Sequence, residues 1–138
     1  MSIQTVESSN PENDTMTHKI LIVDDQKYFL SGLAAALKRI FKYPGEIQTV
    51  ENGTEAIAEI RSTFYDICFL DLNLPDIYGL DVMKKVQDIS PETKIVIMTA
   101  DAIDEDLKKE VEDRVSLLIS KPVDLPQIRE FITKQAPY

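Results

Sequence analysis

The sequence predicts an α/β fold in which a parallel sheet is covered by helices on both faces, and three observations predict it. Apolar runs without alternation, such as Ile20-Leu21-Ile22-Val23 and Ile67-Cys68-Phe69-Leu70, suit strands buried on both sides. Between these runs, apolar residues recur at helical spacing. Turn formers at Pro44-Gly45, Asn52-Gly53 and Ser90-Pro91 separate the two patterns. Strands and helices alternating in this way make βαβ units, whose right-handed crossovers leave few ways to wind the chain into a doubly wound sheet.

In chain order, Lys19 to Val23 is the first strand, ended by Asp24-Asp25. Leu30, Leu33, Ala34, Leu37, Ile40 and Phe41 mark a helix that Pro44-Gly45 stops. Glu46 to Val50 alternates polar and apolar residues, as an edge strand does. Ala56, Ile57, Ile60 and Phe64 give the second helix. Asp66 to Leu70 is the third strand, and it delivers Asp71 into an Asn73-Leu74-Pro75 turn that cannot continue a strand. Leu80, Met83 and Val86 mark the third helix, Lys94 to Met98 the fourth strand, and Ile103, Leu107 and Val111 an acidic fourth helix. Val115 to Ile119 is the fifth strand, followed by a helix carrying Leu125, Ile128, Phe131 and Ile132. Residues 1–17 hold no Lys or Arg and few large apolar side chains, which predicts a disordered N-terminal tail before one domain over residues 18–138.

Composition narrows the partners. With 15 Lys and Arg against 24 Asp and Glu the net charge is −9, and no basic cluster interrupts it. Direct binding to nucleic acid or to an anionic membrane is disfavoured, whereas proteins and cations are favoured. The single cysteine, Cys68, sits inside an apolar strand, which reads as a buried reduced thiol and an intracellular setting. No apolar run approaches the roughly 18 residues of a membrane span, and no basic stretch leads into an apolar one at the N-terminus. The expectation is a soluble cytoplasmic protein.

In open parallel sheets, ligands sit outside the carboxyl ends of the strands, where the winding reverses. Asp24 and Asp25 follow the first strand, Asp71 the third, Thr99 the fourth and Lys121 the fifth. Three carboxylates gathered at one edge repel, and one takes up a proton unless a cation is present. An all-oxygen set of this kind suits a hard cation, and Mg²⁺ uses one or two carboxylates together with water and phosphate oxygens. A carboxylate beside a metal, a lysine and a hydroxyl is the equipment for in-line attack on phosphorus, giving an aspartyl phosphate. Each residue has a plainer role open to it. Asp25 could cap the first helix, Thr99 or Asp101 the fourth, Asp71 could shape a turn, and Lys121 could be a solvated loop lysine. Independent caps, however, have no reason to supply this combination at successive strand ends.

On the motifs LIVDD, FLDLNLP, IVIMTA and SKP, in that order, residues 18 to 136 resemble the receiver domains of two-component response regulators. The resemblance implies a (βα)5 flavodoxin-like fold with strand order 2-1-3-4-5. It implies Asp71 as phosphoacceptor, with Thr99 as switch hydroxyl, Lys121 as phosphoryl partner and Ala100 as the small residue leaving room for the phosphoryl group. Mg²⁺ would be held by Asp24, Asp25, Asp71 and the backbone carbonyl of Asn73. It further implies a cis Lys121-Pro122 bond. Two positions depart from the family pattern: Leu118 stands where Tyr or Phe is usual, and Tyr78 precedes Gly79 where an acidic or small polar residue is common.

The expected function is Mg²⁺-dependent phosphoryl transfer from the phosphohistidine of a histidine kinase or histidine phosphotransfer protein to Asp71. The result would be a switched interaction with a downstream protein, including phosphorylation-dependent homodimer formation. The chain would be no enzyme beyond its own phosphorylation and dephosphorylation, the latter with Asp101 either orienting the water or acting as a plain cap or solvated acid. Its end at Ala136-Pro137-Tyr138 fits both a free-standing receiver and one cut from a longer regulator. Two rivals are a non-phosphorylated interaction module and a haloacid-dehalogenase-type phosphatase. The first is disfavoured by the complete acid, hydroxyl and lysine set. The second is disfavoured because Asp24-Asp25-Gln26 is not the Asp-x-Asp pattern that such enzymes place after the first strand. With four glycines and no G-x-G-x-x-G after a strand, dinucleotide binding has no support.

Overall fold

The computed structural model describes residues 18–135. The expected tail over residues 1–17 and the terminal Ala136-Pro137-Tyr138 lie outside the described residues. Five parallel strands form one sheet: β1 (Lys19–Val23), β2 (Glu46–Val50), β3 (Ile67–Asp71), β4 (Lys94–Thr99) and β5 (Leu117–Ser120). Their order is β2-β1-β3-β4-β5, the 2-1-3-4-5 arrangement the motifs implied. Register aligns the strand exits. Val23 pairs with Leu70 and Val50, Asp71 with Met98, and Thr99 with Ser120.

Alternate residues of the central strands feed opposite cores, which is why these strands read as unbroken apolar runs. Leu21, Val23, Cys68, Leu70, Ile95 and Ile97 pack under α2 (Gly53–Ser62), α3 (Gly79–Ile89) and α4 (Glu105–Val111). Ile20, Ile22, Ile67, Phe69, Val96 and Met98 pack under α1 (Lys27–Ala35) and α5 (Leu125–Gln135). The winding therefore reverses between β1 and β3, and the crevice at that reversal is where Asp24 and Asp71 emerge.

Several boundaries differ from expectation for identifiable reasons. Helix α1 continues as a π-helical turn over Ala36–Ile40, where Phe41 N donates to Ala36 O at 3.0 Å. The wider turn brings Phe41 into the core and leaves Ile40 66% exposed. Phe64 lies beyond α2 and is 52% exposed, so it is no core position of that helix. Helix α4 begins after Ile103 because Asp104 caps it, its carboxylate accepting from Leu107 N at 2.9 Å. Neither Thr99 nor Asp101 has that role. β2 is an edge strand as expected, yet Ile47 and Val50 are three apart and go to opposite cores, so its two apolar residues do not share one face.

Candidate functional site

Each expected site residue stands at the carboxyl edge of the sheet. Asp24, the first residue past β1, is fully buried. One of its oxygens accepts from Gln26 N at 2.8 Å, which turns the chain into α1, and the other accepts a hydrogen bond from Lys121 Nζ. Asp71 is the last residue of β3 and 5% exposed, so it belongs to the strand and not to the turn that follows. Asp25 is exposed. One carboxylate oxygen from each of Asp24, Asp25 and Asp71 lies within 4.8 Å of the others.

Lys121 follows β5, with its Nζ 3.8 Å from Asp71 Oδ1 and 4.3 Å from the centroid of the Phe29 ring. The lysine is thus gripped by the Asp24 carboxylate and an aromatic face on α1. Phe29 was not among the residues singled out from the sequence. An aromatic in the first turn of an amphipathic helix reads as core, and only the crossover geometry brings it over a lysine nearly 100 residues away. The Lys121-Pro122 peptide is cis, as the resemblance implied.

The Asp71 carboxyl is pushed up to about 6, chiefly by burial and next by the charge of Asp24. Lys121 and the backbone N–H of Asn73 oppose this rise. One lysine therefore does not neutralise the cluster. A second positive charge bound by oxygen ligands fits here, and the donor set is of the hard, all-oxygen type that Mg²⁺ prefers.

Thr99 is fully buried at the end of β4, one residue beyond the Met98 that pairs with Asp71. Its hydroxyl oxygen accepts from Asp101 N at 3.0 Å. The Asp101 carboxylate in turn accepts from Asn73 Nδ2 at 2.9 Å, so the loops after β3 and β4 are joined. Gly79 is a second contributor that the sequence reading did not single out. A Cβ there would stand 2.5 Å from Leu72 Cα and 2.6 Å from Asp71 O, while Gly79 N donates to Leu72 O at 2.8 Å. Only a residue without a side chain lets α3 start against the backbone of the phosphoacceptor candidate. Its signal in the sequence was a glycine at a helix start shortly after a proline turn.

An apolar groove of about 660 Å³ borders Lys121 and Ala100, lined by Tyr28, Phe29, Leu33 and Val123 among others. A second, of about 400 Å³, separates α4 from β5, and half-buried Leu118 lines it with Ile103 and Val111. Among the described residues no helix is long and apolar enough to cross a membrane.

Comparison with known proteins places this geometry. The response regulator receiver domain family matches residues 20–133. The chain is 30% identical over 124 residues to sporulation initiation phosphotransferase F of Bacillus subtilis (strain 168), covering 88% of this chain and 96% of that protein. It is 28% identical over 138 residues to hybrid signal transduction histidine kinase L of Dictyostelium discoideum, covering 94% of this chain. The chain spans only 8% of that much longer relative. A CheY-like response regulator receiver domain protein from Methanospirillum hungatei JF-1 superposes with a TM-score of 0.74 at 27% identity, covering 86% of this chain and 96% of that one. The family match takes in all of the sheet but Lys19 and reaches the last turn of α5, and the chain therefore belongs to the response regulator receiver domain family of two-component signalling.

Proposed function

We propose that residues 18–138 form a phosphoacceptor receiver in which Asp71 takes a phosphoryl group from a partner's phosphohistidine. The observation that carries this reading is the cluster of Asp24, Asp25 and Asp71, with carboxylate oxygens within 4.8 Å of one another and Lys121 at its edge. Asp24, Asp25, Asp71 and the backbone carbonyl of Asn73 would hold Mg²⁺. When bound, the ion supplies charge neutralisation, keeping Asp71 ionised and offsetting the charge of the incoming phosphoryl oxygens.

The chain's own residues do the rest. A carboxylate oxygen of Asp71 attacks phosphorus, an O–P bond forms, and the N–P bond to the donor histidine breaks in line as the imidazole leaves. Asn73 N–H orients the attacking carboxylate. Lys121 exchanges part of its contact with Asp24 for a phosphoryl oxygen, and the Thr99 hydroxyl donates to another. Ala100 leaves room beside them.

The donor, a histidine kinase or a histidine phosphotransfer protein, must approach along this edge, where the apolar groove between α1 and the loop after β5 offers it a surface. Inward movement of Thr99 and Lys121 shifts a two-state equilibrium that alters the face made by α4, β5 and α5, and so changes a protein partner, including a second copy of the chain. The protein acts in the cytoplasm on no substrate but itself.

Incubation with acetyl phosphate and Mg²⁺ followed by intact mass measurement tests the assignment. Wild type gains the mass of one phosphoryl group and Asp71→Asn does not. Modification of the variant at the wild-type rate would sink it.

A further inference from the structure

The loop between β3 and α3, residues 72–78, carries Asn73, whose backbone N–H favours the ionised form of the Asp71 carboxylate. At its base, Gly79 N donates to Leu72 O and Asn73 bridges to Tyr78. Its side chains are hydrogen-bonded to the rest of the fold at two places. One is the exposed contact from Asn73 to Asp101. The other is Asp76, which reaches the first turn of α2.

Asp76 Oδ1 accepts from Gly53 N at 2.8 Å and from Ile77 N at 2.9 Å. Asp76 Oδ2 accepts from Thr54 N at 2.9 Å and from Thr54 Oγ1 at 2.6 Å. The Gly53 and Thr54 amides open α2 and have no acceptor within the helix, and the positive end of the helix favours a carboxylate there. These bonds, the Thr54 hydroxyl first among them, hold the Asp76 carboxyl down to about 2. Packing reinforces the join, since a Cβ on Gly53 would meet Val82 Cγ2 at 2.9 Å and Ile77 Cβ at 3.0 Å. Helix α2 also has a cap of its own that does not involve the loop, Asn52 Oδ1 accepting from Glu55 N at 2.8 Å. Asp76 therefore does more than an N-cap needs to do. It crosses 22 residues of sequence to fasten the loop.

We infer that Asp76 is a positioning residue for the phosphoacceptor site: by tying the loop to α2 it fixes where Asn73 stands against Asp71, and so sets how tightly the acidic cluster holds a divalent cation. Asp76 touches no reacting atom and acts through Asn73. The inference rests on the reading of Asp24, Asp25 and Asp71 as a Mg²⁺ site.

Calorimetric titration of Mg²⁺ into the full chain tests it, with thermal melts in EDTA run beside each titration. Asp76→Ala should bind Mg²⁺ about tenfold more weakly, the lower end of what residues that orient metal ligands contribute. Asp76→Asn should recover part of the loss, because its amide oxygen still accepts from Gly53 N and Ile77 N but its NH₂ cannot accept from Thr54 N. Asn52→Ala, which weakens α2 without touching the loop, should lower the melting temperature and leave Mg²⁺ affinity unchanged. A folded Asp76→Ala that binds within about twofold of wild type overturns the inference, as does an Asn52→Ala that loses affinity equally. Where Asp76→Ala does not fold, Thr54→Val carries the test, with about two- to threefold weaker binding expected for one hydrogen bond and none overturning it. Absence of Mg²⁺ binding by wild type overturns the metal-site reading itself and is distinguishable, since it is seen before any variant is made.

Discussion

Replacing Asp71 with Asn should stabilise the metal-free protein, and the structure sets both the size and the pH window of the gain. Burial and the Asp24 charge push the Asp71 carboxyl from its ordinary 3.8 to about 6. An acid with a raised folded-state pKa binds its proton earlier in the native than in the unfolded chain. Its ionised form therefore costs stability above about pH 6, and that cost vanishes below about pH 4. Two pKa units correspond to about 3 kcal/mol. Asn is nearly isosteric and neutral. Lys121 loses a partner at 3.8 Å but keeps its hydrogen bond to Asp24, so the offsetting loss is small. In EDTA near pH 8, Asp71→Asn should then melt roughly 5–10 °C above wild type, the scale set by about 2–3 kcal/mol in a domain of this size. Circular dichroism melts across about pH 4 to 8 show whether the two proteins converge in acid. Saturating Mg²⁺ should close the gap from the other side, since a ligand at 100 times its Kd adds about 2.7 kcal/mol to the wild type, which binds it better. An Asp71→Asn protein no more stable than wild type near pH 8, or a gap that persists unchanged near pH 4, would refute the argument that a strained carboxylate sits at the end of β3.

Two further outcomes follow from contacts around the same edge. Gly79→Ala puts a methyl group against Leu72 Cα and Asp71 O, backbone atoms that have no rotamer to yield, so denaturant unfolding should show a loss of about 1–3 kcal/mol. Acetyl phosphate labelling of the same variant should slow, because the displaced backbone is that of Asp71; a wild-type rate with full stability would contradict the close approach. On the reading that Asp101 orients the attacking water, Asp101→Ala should slow the loss of the phosphoryl group, since its carboxylate accepts from Asn73 Nδ2, two residues past Asp71, and does not cap α4. Decay at the wild-type rate, timed by mass measurement after removal of the donor, would reduce Asp101 to a tether between loops.

The architecture was legible because the two faces of the sheet are both covered. A strand such as Ile67 to Leu70 has no choice of face to encode, so it appears as a plain apolar run, and the polar residue that ends it marks the exit. Asp24, Asp25, Asp71 and Thr99 follow that rule directly and Lys121 lies one residue further on, and the structure brings each to the same edge. What the sequence hid depends on geometry between elements. The π turn in α1 keeps Phe41 inward but leaves Ile40 exposed, although spacing placed both on the buried face, and no local spacing announces it. Phe29 over Lys121 and Asp76 on α2 are contacts of side chains far apart in the chain, made by the crossover and by a loop's reach. Gly79 was visible as a glycine, but its reason is the backbone of Leu72, which only the packed loop supplies.

Leu118 bears on how a change at Asp71 travels, because the aromatic ring usual at that position is missing. The contacts present offer a route that needs no ring. Asp101 N is bonded to the Thr99 hydroxyl, and the Asp101 carboxylate to Asn73. On the proposed switch, a Thr99 hydroxyl turned toward a phosphoryl oxygen would leave Asp101 N, and the segment from Ala100 to the Asp104 cap of α4 would lose one of its anchors. That segment is short and ends at a helix of only seven residues, the least buried of the five flanking the sheet by its single fully buried side chain, Val111. Few apolar contacts oppose its movement, and elements of low local stability are those that shift when a site changes state. The groove of about 400 Å³ beside Leu118 lies between α4 and β5. On the proposed switch, with Leu118 in place of an aromatic ring, the backbone between Thr99 and Asp104 would carry the response and α4 would be the element it moves first.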